Sequence, residues 1–477
     1  MNGRGVADAW RSSSRLRQLL LEARKATTAG SNKAGTIGMR AQSHSRYIDW
    51  LEIGYNIRMT LPADSAREGA DLAFLTSAGA AEVLRAALGP GVVLRSWGVH
   101  SQHHRPGAGV SVGYGVVVDE PQPDGSIVRR EKYLCASTAH TVPSAGVRTI
   151  ATNGTDIRVW EFPEDPELPI LRVACSPAQM SDLLGTPVSI ELLGYRPTRR
   201  AVVKISSEIG VMAFGKVVRP TQVAALAQRY RMLTQAGVPA PLLLFDHPEG
   251  LLVTEAISGI PLANVISRGL GTQVRSMFRA LERVLDALPA DITRFRRRPA
   301  WSERAEHYAH AAATVLPSES TRCFAVAREV FELMAVSHPG PIVPVHGDFY
   351  EANVFVDRKL PKVTGIIDVD SMGPGHRVDD LACLLGHLSV LPHLAPDSYP
   401  KVSAELPVWL EMAERSVDPV ALNARCAGVV LSLIAGAKRV DGSEWERDAR
   451  GRLETSEMWL ARARSWRDSQ SYREARG

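Results

Sequence analysis

The chain has little of what would take it outside ordinary globular chemistry. Its five cysteines, at 135, 175, 323, 383 and 426, are scattered, odd in number and free of any Cys-x-x-Cys pair. That argues against a zinc site or a disulfide framework and fits the reducing cytoplasm. Long apolar runs are missing. The most apolar helical stretch, Ala427–Ala437, is about half the roughly 20 residues a bilayer span takes, so a buried helix is expected and no membrane partner. The Arg-, Leu- and Ser-rich start holds no apolar core of secretory-signal length. Strong charge is missing too. A formal net charge of +5 over 477 residues tolerates an anionic small ligand but does not argue for nucleic acid. Neither internal repeats nor low-complexity tracts are present.

What remains is ample material for cores. With 45% hydrophobic and 22% charged residues, the length suffices for two to four domains. Residues 1–45, rich in Arg, Ala, Gly and Ser, are expected to be a disordered tail. Residues 46–185 are expected to form an α+β module. Its helical spacing over Glu68–Ala87 is followed by strands at Val92–Trp97, Val110–Val118, Ile127–Cys135, Val147–Ile150 and Ile157–Phe162. The glycines of Gly107–Gly115 are expected to bend a hairpin, and Pro163–Pro169 to form a rigid connector. Strands are then expected at Val188–Leu193, Ala201–Ile205 and Val211–Val218. A helix follows over Thr221–Ala236, then strands at Leu242–Phe245 and Leu251–Ala256. Residues 186–257 thus read as a small five-stranded lobe, and 258–477 as mostly helical.

The richest stretch lies in that helical part. His346-Gly347-Asp348-Phe349-Tyr350-Glu351-Ala352-Asn353 follows an apolar strand end, Pro341–Val345. Val354–Val356, a polar turn at Asp357–Pro361 and a strand over Val363–Ile367 lead to Asp368-Val369-Asp370. Loop, strand, turn and strand bring Asp348, Asn353 and Asp368 to one end. Phosphoryl transfer uses such a set: one carboxylate meets a substrate hydroxyl, while an amide oxygen and a second carboxylate hold Mg²⁺ on nucleotide phosphates. Taken singly, the same residues are ordinary turn caps; only the whole set carries the inference.

The five-residue step from Asp348 to Asn353 equals that of the protein-kinase catalytic loop. With Gly after the His, HGDxxxxN resembles the loop of the aminoglycoside phosphotransferase and choline kinase group of small-molecule kinases. Asp368 resembles that group's metal-binding Asp, and Asp379-Asp380-Leu381-Ala382 resembles its downstream signature. The resemblance implies an α+β, two-lobed protein-kinase-like fold and ATP and Mg²⁺ as cofactors. It implies Asp348 as base, His346 as an orienting residue beside it, and Asn353 and Asp368 on the metal. Asp370 either shares the metal or is a solvated carboxylate. Asp380 is expected to fix the loop by capping the helix that starts at Leu381. The run Trp160-Glu161-Phe162-Pro163-Glu164-Asp165-Pro166 resembles actinobacterial phosphotransferase-family segments and, more loosely, the amino-terminal cap of maltokinases.

On the nucleotide side, Gly210–Lys216 matches GxxxxGK, but Val217 follows where a P-loop needs Ser or Thr. The segment reads as a strand. In a kinase-like small lobe Lys216 then points to the α/β-phosphates, and Lys204 is the competing lysine. The helix Thr221–Ala236 contains neither Asp nor Glu, so the group's usual acidic partner for that lysine is missing from it. The turn Tyr195–Arg200 offers arginines rather than glycines to phosphates. Glu255 and Ile257 mark the hinge, where adenine would meet backbone donors and acceptors. The partner is a small-molecule hydroxyl substrate of sugar, aminoglycoside or amino-alcohol type. The sequence carries no signal for oligomeric state. The alternative is a catalytically weak kinase-fold protein that binds nucleotide and regulates. Glu411, Glu414, Asp418, Asp441 and Glu444 could line an amine pocket, yet their interleaving with Arg and Lys favours solvated helix faces. Trp301, Trp409, Trp445 and Trp459 are read as core, and Arg294–Arg298 as a solvated basic helix end.

Overall fold

The structure, a computed structural model, describes residues 62–104, 109–152, 154–438 and 444–469. The expected tail at 1–45, Gly107 and Asp441 lie outside them. The chain divides into two compact units, Met1–Ala225 with Leu243–Ala256, and Leu226–Leu242 with Ile257–Gly477.

The first unit holds two antiparallel five-stranded sheets. Helices α1 (Pro62–Leu75) and α2 (Ala80–Ala87) precede the first one. A single helix was expected there; the chain breaks over Thr76–Gly79, where the Ser77 hydroxyl accepts from the Gly79 N–H at 3.2 Å. Strands β1 (Val93–His104), β2 (Val110–Pro121), β3 (Ile127–Ser137), β4 (Arg148–Thr152) and β5 (Thr155–Glu161) then pair in the order β1-β2-β3-β5-β4. The period of two in β2 explains the core. Val110, Val112, Tyr114, Val116 and Val118 all lie buried, packed with Leu75, Val83 and Leu84 of the helices. Tyr114 closes the layer by donating its hydroxyl to Leu75 O at 2.7 Å. Gly113 and Gly115, expected to bend a hairpin, lie inside β2 instead. The reason at Gly113 is space: a Cβ there would meet the Tyr133 hydroxyl across the strand pair.

Short helices α3 (Leu171–Ala174) and α4 (Pro177–Leu184) lead to the second sheet. It comprises β6 (Ser189–Arg196), β7 (Arg200–Ser207), β8 (Gly210–Val218), β9 (Leu243–His247) and β10 (Leu251–Glu255), ordered β6-β7-β8-β10-β9. Helix α5 (Pro220–Gln235) follows β8. The Gly210–Lys216 segment is a strand, as its bulky apolar residues require. Ala201, Val203, Ile205, Ala213, Val217, Leu251 and Val253 are buried on one face.

The second unit is mostly helical: α6 (Leu262–Ile266), α7 (Val274–Asp286), α8 (Ala305–Val315), α9 (Ser320–Ala335), α10 (Arg377–Leu394), α11 (Val402–Ser416), α12 (Pro419–Ile434) and α13 (Trp445–Asp468). The buried helix expected from Ala427 starts earlier, at Pro419, with Asp418 as its N-cap accepting from Ala421 N at 2.8 Å. Asn423 and Arg425 broke the apolar pattern in the sequence. Both are buried, Asn423 donating to Pro419 O at 2.7 Å and Arg425 pairing with Asp379 at 2.8 Å. The stretch Pro419–Ala437 is apolar enough to span a membrane by length and composition, and 89% of its most apolar window is buried inside the protein. Trp409 and Trp459 are core, as expected. Glu411 and Glu414 are held by arginines, Glu411 by Arg275 and Arg415, and Glu414 by Arg462.

Candidate active site

Four short strands place the site in the second unit. Strand β12 (Ile342–Val345) pairs antiparallel with β15 (Gly373–His376), Val345 opposite Gly373. Strand β13 (Val354–Val356) pairs with β14 (Val363–Ile366), Val354 opposite Ile366. It also pairs with the short β11 (Ile260–Pro261). In an antiparallel hairpin the start of one strand lies beside the end of the next. Asn353 precedes β13, and Ile367-Asp368 follows β14, so they are neighbours. The Ile367 N–H donates to Asn353 O at 2.9 Å.

The loop between β12 and β13 is fixed at several points. Asn353 Nδ2 donates to the Asp348 carbonyl at 3.0 Å and lies 3.5 Å from Asp348 Oδ2. Asp348 and Asn353 are both buried, at 8% and 4% exposure. His346 is wholly buried, and its Nε2 lies 2.9 Å from Ile367 O, a carbonyl that makes Nε2 the donor. Burial lowers the His346 pKa, against the opposing charge of Asp368. An imidazole tied to a carbonyl fastens the loop to the end of β14; it is not placed as a base.

Asp380 holds the loop from the helix side. Its Oδ2 accepts from His346 N at 2.9 Å and its Oδ1 from Gly347 N at 2.8 Å. Burial pushes its pKa up to about 6, with those two N–H donors pulling the other way. The expected capping role was misplaced. Helix α10 begins at Arg377 with His376 as N-cap, and Asp379 returns the bond by accepting from His376 N at 3.1 Å. Asp380 instead lies inside the first turn, which frees its carboxylate for the loop. Gly347 has φ 78°, and a Cβ there would stand 2.7 Å from Ser371 O. Only glycine fits that approach.

Asp368 also adopts the left-handed region, with φ 60° and ψ 50°. For a residue with a Cβ this costs about 1–2 kcal/mol, and such strain gathers at working sites. The next residues are held by Arg229, which the sequence reading passed over, and by Arg298, which it had placed on a solvated basic helix end. Arg229 Nε donates to Met372 O at 2.8 Å while its guanidinium lies 4.1 Å from the Phe295 ring centre. Arg298 Nη1 donates to Ser371 Oγ at 3.3 Å. Burial and, less strongly, Arg298 lower the Arg229 pKa to about 10, with Asp370 opposing both. Asp370 therefore lies in the field of this arginine. Nothing in the local sequence signalled the pairing, because Arg229 and Asp370 are distant in the chain.

The donors available to a cation are hard oxygens. Asn353 spends its amide N–H on Asp348, leaving the amide oxygen, and Asp368 and Asp370 supply carboxylates. Among the described residues no three His, Cys, Asp or Glu side chains group into a metal cage. Mg²⁺ seldom uses one, since it keeps waters and substrate phosphates as ligands. The set fits the ion.

Of the nucleotide-side residues, Lys216 is half-buried on β8, opposite Val202 of β7 and Leu252 of β10. Lys204 forms a cross-strand ion pair with Glu191, the plain structural role. Glu255 ends β10, exposed, with Ala213 as its Cα partner. The Ile257 side chain lies against Gly365 of β14.

Residues 193–412 match the sequence profile of the phosphotransferase enzyme family. The matched stretch, a little under half of the chain, is similar to that family. The resemblance to aminoglycoside phosphotransferases and choline kinases extends to solved structures. An aminoglycoside phosphotransferase from Streptomyces rimosus is 20% identical, covering 52% of this chain and 92% of its own, with a TM-score of 0.34. A choline/ethanolamine kinase family protein from Mesorhizobium loti is 17% identical, covering 63% and 95%, with a TM-score of 0.41. A spectinomycin phosphotransferase, solved with ADP and spectinomycin, is 14% identical, covering 61% and 98%, with a TM-score of 0.43. No curated protein matches the chain. The stretch matched to the phosphotransferase family contains β7–β10 and the whole of the Asp348–Asp380 loop system. The α+β class, with a five-stranded antiparallel sheet and a helical part, is the one expected from the sequence.

A further buried histidine lies close to the loop in this stretch. His387 of α10 stacks on Tyr350, ring centres 4.4 Å apart at 26°. Burial lowers its pKa to about 3. A depressed folded-state pKa contributes stability that is present above the unfolded value of 6.5 and lost as pH falls toward 3. We expect His387→Phe, which keeps the stack and removes the titration, to flatten the fall in stability between pH 6.5 and 4. The wild-type slope from this one proton reaches about 1.4 kcal/mol per pH unit. Identical melting-temperature profiles against pH for both proteins would contradict this.

Proposed function

We propose that the protein is an ATP-dependent O-phosphotransferase acting on a hydroxyl of a small molecule of sugar, aminoglycoside or amino-alcohol type. The observation that carries this reading is the convergence of Asp348, Asn353 and Asp368 at one end of the β13–β14 hairpin, within the stretch matched to the phosphotransferase family. In this reading residues 46–185 are a cap module, 186–257 the nucleotide lobe and 258–477 the lobe bearing the catalytic loop. The cytoplasm is its compartment, in keeping with five free cysteines.

Asp348 accepts the acceptor's hydroxyl proton. As that proton moves to the carboxylate, the hydroxyl oxygen bonds the γ-phosphorus and the bond to ADP breaks. His346 and Asp380 keep the loop in place and stay out of the proton transfer. Asn353, Asp368 and, beside Arg229, Asp370 are the residues that would hold Mg²⁺. Bound there, the ion would neutralise phosphate charge. Lys216 would meet the non-transferred phosphates, and the Glu255–Ile257 backbone the adenine.

A second reading, a catalytically weak nucleotide-binding regulator, is favoured by one feature: α5 carries no Asp or Glu, where the resembled kinases keep an acidic residue. One experiment separates the two. The purified protein is offered Mg·ATP with a library of amines, sugars and amino-alcohols, and ADP release is followed. Stimulation by a hydroxylated class supports the transferase. Nucleotide binding without stimulation by any acceptor supports the regulator.

A further inference from the structure

The connector after the first sheet carries a carboxylate that the proposed reaction does not use. Asp165 is 4% exposed. Its Oδ2 accepts from the Tyr195 hydroxyl at 2.7 Å and from the Thr198 N–H at 2.7 Å, and its Oδ1 accepts from the Glu167 N–H at 2.9 Å. Tyr195 and Thr198 belong to the β6–β7 turn, so one side chain from the N-terminal module ties two points of a turn in the second sheet. A buried carboxylate is tolerated only with such donors.

The surroundings reinforce the node. The Tyr195 oxygen accepts from Trp160 Nε1 at 3.1 Å, and its ring packs 4.9 Å from Phe162 and 6.4 Å from Tyr133. Arg219, just after β8, donates to Thr198 O at 2.8 Å and stands 3.2 Å from Glu167. Arg196, Pro197 and Thr198 are buried. Thr198 holds φ 63°, a left-handed conformation that a bonded N–H helps to stabilise.

The position of the turn gives this consequence. Arg200 pairs with Val218 and Val202 with Lys216, so the turn closes the sheet end two residues from Lys216, about 7 Å along the strand. Arg196, Arg199, Arg200 and Arg219 gather at that end. A polyphosphate held by Lys216 would meet a cationic turn whose shape the module dictates.

We infer that the N-terminal module fixes this turn through the Asp165–Tyr195–Thr198 node, so that nucleoside polyphosphate affinity depends on a positioning residue outside the stretch matched to the phosphotransferase family. The inference rests on the phosphotransfer reading. Ordering the turn in advance removes an entropic cost from binding.

The test uses the full chain with Mg·ADP as probe. Asp165→Asn should weaken binding by about tenfold in calorimetry, the size expected when a charge-assisted hydrogen bond stops supporting the bound shape. The Thr198 and Arg199 amides should lose hydrogen-exchange protection. Turnover at saturating ATP should change by less than about twofold, a split that general destabilisation does not produce. Asp119→Asn, which breaks the Arg95 and Arg129 pairs elsewhere in the module, should leave nucleotide affinity unchanged. Should Asp165→Asn not fold, Tyr195→Phe keeps the ring packing and should show the same direction. Unchanged affinity and protection in the folded variant overturn the inference alone. A wild-type chain that takes up no Mg·ADP overturns both the inference and the phosphotransfer reading.

Discussion

Asp348→Ala is expected to lower acceptor-dependent turnover by about two to three orders of magnitude or more, with little change in melting temperature. The activity loss follows from position. Asp348 is the buried carboxylate at the bend of the loop, with Asn353 Nδ2 as near neighbour. The fold survives because the loop is held through main-chain atoms: Asp380 takes the His346 and Gly347 N–H groups, and Asn353 takes the Asp348 carbonyl. None of these bonds needs the Asp348 side chain. Nucleotide affinity should change little, since in the proposed reaction Asp348 acts on the acceptor hydroxyl. Steady-state ADP release with a responsive acceptor, beside calorimetry with Mg·ADP, reads both. Wild-type turnover in the variant would remove Asp348 from the mechanism.

Asp368→Asn should cost about two orders of magnitude in turnover and raise the Mg²⁺ concentration needed for half-activity by about tenfold. Asparagine is the informative substitution because it tolerates the left-handed conformation that Asp368 adopts at φ 60°. The main-chain path from β14 into the Val369–Ser371 turn is therefore preserved, and only the charge goes. A Mg²⁺ titration at fixed ATP distinguishes this from the Asp348 variant, whose metal requirement should not move. A metal dependence identical to wild type in Asp368→Asn would sink the assignment of a ligand role.

The site was legible to the extent that it is local. His346 to Asp368 is a short span, and strand–turn–strand geometry brings its two ends together whatever surrounds it. Periodicity likewise marked β7–β10 within two residues and β6 within three. It failed where tertiary contacts override it. The glycines inside β2 and the polar Arg425 of α12 depend on partners distant in sequence, Tyr133 lying across Gly113 and Asp379 beside Arg425, whereas α1 parts from α2 at a local Ser77–Gly79 bond. Asp380 was recognised as a loop-fixing residue but placed one step outside its helix, because a cap and a first-turn carboxylate look alike in sequence.

By itself, then, the order of residues determined the Asp348, Asn353 and Asp368 grouping proposed for phosphotransfer, the α+β class and the alternation of buried positions, since each follows from spacing along the chain. Tertiary structure alone decided that Arg229 and Arg298 brace the Asp370–Met372 segment and that Asp165 holds the β6–β7 turn. Those contacts join residues whose separation in sequence carries no period, and burial gives their charges a meaning that composition cannot.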